Sequence, residues 1–372
     1  MLREFGNVRR IVIKIGSSSL AYPTGKLRLA RIERLVREMA DLHNAGCEVM
    51  VVTSGAIGAG MGKLGLKERP KSIPTLQACA AVGQGILMHM YEKFFAEYGI
   101  TVAQVLLTRE DFADRRRFLN ARNTLETLLR LHTVPIINEN DTIAVEEIKL
   151  GDNDQLSALV AVAINANLLL MLSDVDGLYT TDPRTDPRAR RIPEIAEITP
   201  DIEKLAGTPG SALGTGGMAT KLMAARIAVH SGVAMVIAPA GEDNVIRRVL
   251  AGEDIGTVFW PVPHKLKNRK RWIAFSATVQ GRVFVDAGAA AALALHGKSL
   301  LPSGVVGVSG EFGVGSTVSV IDPEGREIAR GIVNYSSAEL EKIKGVKTTE
   351  ITRILGEPRC DEVIHRDNLV LE

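Results

Sequence analysis

The sequence predicts an α/β protein. An open, mostly parallel sheet sandwiched by helices is expected first, and a second, smaller β-rich domain after it. Strand-like and helix-like segments alternate over the first two-thirds of the chain, the pattern of βαβ units around a sheet covered on both faces. The character changes after Trp260, where PVPHKLKNRKRW gathers two prolines and five basic residues without an acid. Beyond it come short strand-like runs broken every few residues by Gly or Pro, which read as a small β domain. The expected division is residues 1–260, a basic linker over 261–272, and 273–372 with a C-terminal tail. A chain of 372 residues suits two domains at roughly 100–200 residues each.

The elements follow in order. RIVIKI, 10–15, is a β-branched run ended by Gly16 and feeding the loop GSSSL. Leu29, Ile32, Leu35, Val36, Met39 and Leu42 recur at helical spacing, and Gly46 closes that helix. EVMVVT, 48–53, is a buried-type strand followed by a Gly- and Ala-rich stretch over 54–62. A helix is expected over about 75–98, a strand over 101–107, a helix over 119–131, and a strand over 133–137 that ends in the polar cluster 138–141. A helix starts near Asn153, with Asp152 or Asn153 as its cap. A strand over 168–172 ends in Ser173-Asp174, a helix covers about 218–231, and a strand covers 234–238. In the second domain strands are expected over 282–286, 305–309, 317–321 and 328–333, with an Ala-rich helix at 287–295.

Composition excludes several classes of function. Hydrophobic residues at 46% and charged residues at 24% describe a chain with a core, not a disordered one. Forty-five Lys and Arg against 43 Asp and Glu, with 4% aromatics, leave neither the basic balance nor the stacking surface of a nucleic-acid coat. Cys47, Cys79 and Cys360 form no C-x-x-C pair, so neither a disulfide framework nor a zinc site is suggested and a reducing compartment fits. The start of the chain has no long apolar run, and apolar stretches elsewhere break before 18 residues. No leader and no membrane span are expected, and the cytoplasm is the expected location. The histidines are scattered and no G-x-S-x-G elbow occurs. Gly60, Gly62 and Gly65 spell G-x-G-x-x-G, but well after the strand end and without the acid a ribose-binding fingerprint needs, so a glycine-rich helix start and turn is the better reading.

The polar residues at strand ends carry the chemistry, because an open α/β sheet binds its ligand beyond the carboxyl ends of its strands. Lys14 stands inside an apolar strand, and a buried ammonium needs an anionic partner. With Gly16 and three serines next to it, a phosphate-facing role is favoured over an edge-strand lysine in solvent. GTGGMATK, 214–221, opens a helix, so glycine amides and the helix dipole can meet an anion with Lys221 one turn in. A flexible surface loop is the plainer account of that motif alone, and no Walker A sequence occurs. The clusters 138–141 and 151–154 suit an amino-acid head group or the ordering of lysines and Mg²⁺. Turn chemistry explains either one singly.

Taken together and in this order, IVIKIGSSSL, VVTSGAIGAG, PIINENDTI, KLGDNDQLSALVA, LLMLSDVDGLYTTDPR and GTGGMATKLMAA resemble the amino acid kinase family. GKSLLPSGVVGVSGEFGVGSTVSVIDPEGREIARGIVNYSS is similar to a PUA domain. INEND followed by GDND, with the appended PUA module, sets the chain apart from the aspartate, acetylglutamate, carbamate and uridylate kinases of that fold. It resembles the members that phosphorylate glutamate. One departure is Ser173-Asp174, where Thr-Asp is common.

The resemblance implies the amino acid kinase fold and ATP-dependent phosphorylation of the γ-carboxylate of L-glutamate to L-glutamyl 5-phosphate, the first step of proline biosynthesis. It implies that Lys14, Ser173, Asp174, Thr215, Gly216, Gly217, Met218, Ala219, Thr220 and Lys221 contact the nucleotide. Ser54, Asp141 and Asn153 would contact glutamate, and Asp154 would organise the catalytic lysines Lys14 and Lys221. It further implies Mg²⁺, feedback inhibition by proline, and a homo-oligomer, a tetramer or a dimer. A competing reading is an RNA-binding factor, since PUA modules often bind RNA. Charge disfavours it, because residues 273–358 hold eight Lys and Arg against nine Asp and Glu.

Overall fold

The computed structural model describes residues 3–22, 24–144, 153–205, 217–261, 273, 278–356 and 360–371. They group into two compact units. One comprises Met1–Asp111 and Phe118–Lys265; the other comprises Phe112–Arg117 and Leu266–Glu372.

The first unit starts with β1 (Arg10–Ile15), α1 (Ser17–Leu20), α2 (Leu29–Asn44) and β2 (Glu48–Val52). There follow α3 (Ala56–Leu64), α4 (Ile73–Ala96), β3 (Val102–Leu107), α5 (Arg109–Ala113), α6 (Arg115–Arg130) and β4 (Val134–Glu139), with the residues of α5 and α6 from Phe112 to Arg117 grouped with the other unit. Next are α7 (Asn153–Ala163), β5 (Leu168–Ser173), the short strands β6 (Leu178–Tyr179), β7 (Arg191–Ile192) and β8 (Glu194–Ile195), and α8 (Pro200–Lys204). The unit closes with α9 (Met218–His230), β9 (Ala234–Pro239), α10 (Val245–Leu250) and β10 (Thr257–Phe259).

The described strands of its main sheet lie in the order β3-β4-β2-β1-β5-β9-β10-β8. All pairs from β3 to β9 are parallel, and only the β9–β10 pair is antiparallel. The β-branched and leucine-rich strands are buried almost throughout, as a sheet covered on both faces requires. Side chains alternate along β1. Ile11, Ile13 and Ile15 pack with Ile32, Leu35 and Met39 of α2 and with Leu87, Tyr91 and Phe95 of α4. Lys14 therefore points to the opposite face, the one on which α7 and α9 lie.

The structure moves several boundaries. The helix expected at 119–131 starts earlier, at Arg115, inside the charged stretch RRRFLN, because Phe118, Leu125 and Leu129 give it a buried stripe. The strand expected to stop at 137 continues through Asn138 and Glu139, which are buried in it. The Gly- and Ala-rich stretch after β2 is largely helix α3, entered through Gly55 at φ 95°. That left-handed turn is open to glycine at little cost.

Helices α3 and α4 approach so closely that backbone meets backbone. A Cβ on Gly83 would lie 1.7 Å from the carbonyl oxygen of Ala56, and one on Gly60 would lie 1.8 Å from that of Cys79. The small residues of AIGAGMGKL are there to permit this contact.

The second unit holds β11 (Val279–Val285), α11 (Ala287–His296), β12 (Val305–Ser309), β13 (Thr317–Ile321), β14 (Glu327–Ile332), α12 (Ser337–Ile343), α13 (Ile351–Leu355) and β15 (Leu369–Leu371). Its described strands form one sheet in the order β12-β11-β13-β14-β15, with β11 and β13 parallel. Val283, Val285, Val318, Val320, Tyr335 and Leu340 fill its core. The helices α12 and α13 and the last strand were not anticipated, because their apolar runs are too short to show a period. α12 is nevertheless marked by a capping box between Ser336 and Glu339.

Gly83→Ala is expected to destabilise the chain by about 1–3 kcal/mol through overpacking against Ala56. Gly85→Ala, on the same helix with nothing within 4 Å of the new Cβ, is expected to be neutral or stabilising by about 0.5–1 kcal/mol. Urea unfolding midpoints of the two variants check the contrast.

Candidate functional site

The site is built from the ends of parallel strands and the starts of the helices that follow. Lys14 is the next-to-last residue of β1, in register with Val52 of β2 and Met171 of β5. α7 begins at the same sheet edge, so Asp154 in its first turn meets Lys14. α9 packs beside α7 and begins there too, capped by Gly217, and this brings Thr220 and Lys221 to the same place.

Asp154 is fully buried and receives three side-chain hydrogen bonds. Lys14 Nζ lies 2.5 Å from Oδ1, Lys221 Nζ lies 3.2 Å from Oδ2, and Thr220 Oγ1 donates to Oδ2 at 2.7 Å. The hydroxyl of Ser157 ties down the Asp154 carbonyl at 2.6 Å. Burial alone would push the Asp154 carboxyl up. Lys14 and Lys221, with hydrogen bonds from Lys14 and Thr220, outweigh it and hold the group well below the usual carboxylate range. Burial pushes the Lys14 ammonium down; Asp154 opposes this and the like charge of Lys221 adds to it. One carboxylate thus holds two ammonium groups that would repel each other without it. Asp174 also acts on Lys14 by charge. Its carboxylate accepts from the Ser173 hydroxyl at 3.0 Å.

A second set of polar groups adjoins the first through Asn153. Its amide nitrogen donates to Ser54 Oγ at 3.0 Å and to Asn138 Oδ1 at 3.1 Å, and its oxygen accepts from the Glu139 amide at 3.2 Å. Asn153 is therefore spent on the strand ends and not on capping its own helix. Asn138 Nδ2 is buried and, among the described residues, has no hydrogen-bond partner. Asp141 stands half-buried just past β4.

The structure thus brings Lys14, Asp154, Thr220 and Lys221 into one cluster, and Ser54, Asn138 and Asn153 into another beside it. Gly217, Met218 and Ala219 open α9. Thr215, Gly216 and Asp152 lie outside the described residues. Gly60, Gly62 and Gly65 belong to the α3 packing and its end.

The pattern of the amino acid kinase family matches residues 9–239, and that of the PUA domain matches 281–355. The chain belongs to the amino acid kinase family. Among its relatives in the family, the glutamate 5-kinase of Moorella thermoacetica is 58% identical over 363 residues, covering 98% of this chain and 96% of that one. The glutamate 5-kinase of Carboxydothermus hydrogenoformans is 59% identical over 366 residues and covers 98% of both chains. A solved structure of carbamate kinase from Giardia lamblia bound to AMP-PNP shares the fold. Its TM-score is 0.51 at 18% identity, over 68% of this chain and 99% of that one.

Sequence reasoning missed the supports beneath the site. Tyr91, fully buried on α4, pairs its hydroxyl with Thr53 Oγ1 at 2.9 Å, directly before Ser54. Gln84 reaches the Glu139 carbonyl and Gln77 the Ala144 carbonyl, each at 3.4 Å. The signal was present, since 77, 84 and 91 are spaced by seven along one helix and so share one face.

Asp154→Asn is expected to cost about 3–5 kcal/mol at neutral pH, because it leaves two buried ammonium groups without their partner. The Asp154 carboxyl is depressed on folding, so its contribution is present above the unfolded carboxyl pKa of about 3.9 and is lost as pH falls below it. Urea midpoints of wild type and variant should therefore differ by a constant amount from neutral pH down to about pH 4, and converge only below that.

Proposed function

We propose that this chain transfers the terminal phosphoryl group of ATP to the γ-carboxylate of L-glutamate, giving L-glutamyl 5-phosphate, the first step of proline biosynthesis. The observation that carries this reading is the convergence of Lys14 and Lys221 on buried Asp154, beside the Ser54–Asn138–Asn153 cluster. The relatives named glutamate 5-kinase, at more than half identity over nearly the full chain, support it.

A γ-carboxyl of pKa about 4.3 is already an anion at neutral pH, so the nucleophile needs no general base. The difficulty is the approach of one anion to another. Phosphoryl transfer is mostly positioning and charge neutralisation. Lys14 and Lys221 place positive charge at the transferring group, and the start of α9 adds its dipole. Asp154 fixes both ammonium groups without neutralising the pair, since one negative charge faces two positive ones. Ser173, Asp174 and residues 215–221 are assigned to the nucleotide. Ser54 and Asn153 hydrogen-bond the amino acid, and Asp141 pairs with its ammonium group.

Both oxygens of Asp154 are engaged by side chains. Mg²⁺ is accordingly read as entering with the nucleotide, whose phosphates supply the oxygens that a hard cation takes.

Residues 1–260 are assigned to the kinase domain and 273–372 to the PUA domain and tail, joined by the basic segment 261–272. Among the described residues no helix is long and apolar enough to cross a membrane. A cytoplasmic location, feedback inhibition by proline and a homo-oligomer complete the proposal.

A hydroxamate assay for acyl phosphate, with glutamate and Mg-ATP and with or without proline, tests it. Product is expected only when glutamate is present. Lys14→Ala and Lys221→Ala should each lower kcat by about 10²-fold or more while changing the glutamate KM little. Asp141→Asn should instead raise the glutamate KM by about tenfold or more. Near-normal turnover in a folded Lys221→Ala chain would remove the charge-neutralisation mechanism.

A further inference from the structure

A second group of cations stands on the other face of the sheet. Helix α2 is entered through Arg28, and Arg31 and Arg34 follow at intervals of three, so their guanidinium groups share one side of its first turns. With Tyr22 and Ala30 they line a cavity of about 250 Å³. Arg28 lies 4.4 Å from the centre of the Tyr22 ring and donates to the Ala21 carbonyl at 3.2 Å. Arg34 pairs with Asp243 and donates to the carbonyls of Ala240 and Gly241 at 3.1 Å. Its Nε is buried and, among the described residues, has no partner.

Arg31 has no acidic partner among the described residues. Burial, and after it the like charges of Arg28 and Arg34, push its pKa down. Of the nearby acids, Glu38 keeps its Oε1 without a partner among the described residues and interacts with Arg34 by charge. Glu38 accepts from the amides of Ile246 and Arg247 at 2.8 and 3.3 Å, and Glu242 pairs with Arg248. Three positive groups thus line a cavity, balanced nearby by the exposed Asp243 and by Glu38. A bound anion would relieve the remaining repulsion between these like charges. Guanidinium forks match the paired oxygens of a phosphate group.

We infer that this cavity is a binding site for a small phosphate anion, held by Arg28, Arg31 and Arg34. It is distinct from the lysine cluster, because α2 packs against the face carrying Ile11, Ile13 and Ile15, whereas Lys14 points the other way. The inference does not depend on the phosphoryl-transfer reading.

Isothermal titration of the full chain at fixed ionic strength tests it, with inorganic phosphate, pyrophosphate and a simple phosphate monoester as probes. Wild type, Lys221→Ala, Arg31→Gln and the Arg28→Gln/Arg31→Gln double variant are compared. Binding of at least one probe is expected in wild type and in Lys221→Ala. It should weaken by about tenfold or more in the arginine variants. Whichever probe binds tightest separates free phosphate from a phosphorylated metabolite as the source. Melting curves without added anion confirm that the variants fold, and Arg31→Gln is expected to melt above wild type because a like charge has gone. Unweakened binding in the folded arginine variants, loss of binding in Lys221→Ala, or no binding to wild type would overturn the site.

Discussion

Asp154 is the group on which the arrangement depends. A carboxylate and two ammonium groups are all taken out of water at one point of the fold. Such burial is expensive, and hydrophobic residues of the same volume would often serve stability as well or better. The cluster is therefore explained by what it positions. Two lysines from segments more than two hundred positions apart are held on either oxygen of one acid, and the hydroxyl of Thr220 fixes the orientation of that acid. The parallel sheet makes this possible. β1 delivers Lys14, while α7 and α9 deliver Asp154 and Lys221 from helix starts at the same edge.

The neighbouring polar cluster is supported from the other side of the sheet. Tyr91 braces Thr53, Gln84 braces the end of β4, and both side chains rise from α4. That helix is in turn pressed against α3 at contacts only glycine allows. Packing between two helices is in this way connected to the placement of Ser54, which lies between Thr53 and the start of α3.

Much of the first unit was legible in the sequence because its signals are strong. Runs such as RIVIKI, EVMVV and LLLML have few alternatives to buried parallel strands, and α2 between the first two carries a clear helical period. The meeting of Lys14 with Lys221 was also legible, from an ammonium in an apolar strand and a glycine loop opening a helix. Other features were not. Asn138 and Glu139 look like turn formers, but pairing with β3 keeps them in the strand. Asn153 looks like a cap, but its amide is drawn to Ser54 and Asn138. Thr220 reads as one more residue of a phosphate loop, and only the fold shows its hydroxyl on Asp154. In each case a tertiary partner outcompeted a local preference.

Asn153 and Asp154 are consecutive in one helix, so their side chains leave its axis about 100° apart. A single turn thereby addresses two compartments, polar contacts to strand ends on one side and the lysines on the other. Neither can be adjusted by sliding or rotating that helix without displacing its twin. A change at this turn is therefore felt on both sides at once, which keeps the first turn of α7 locked in place.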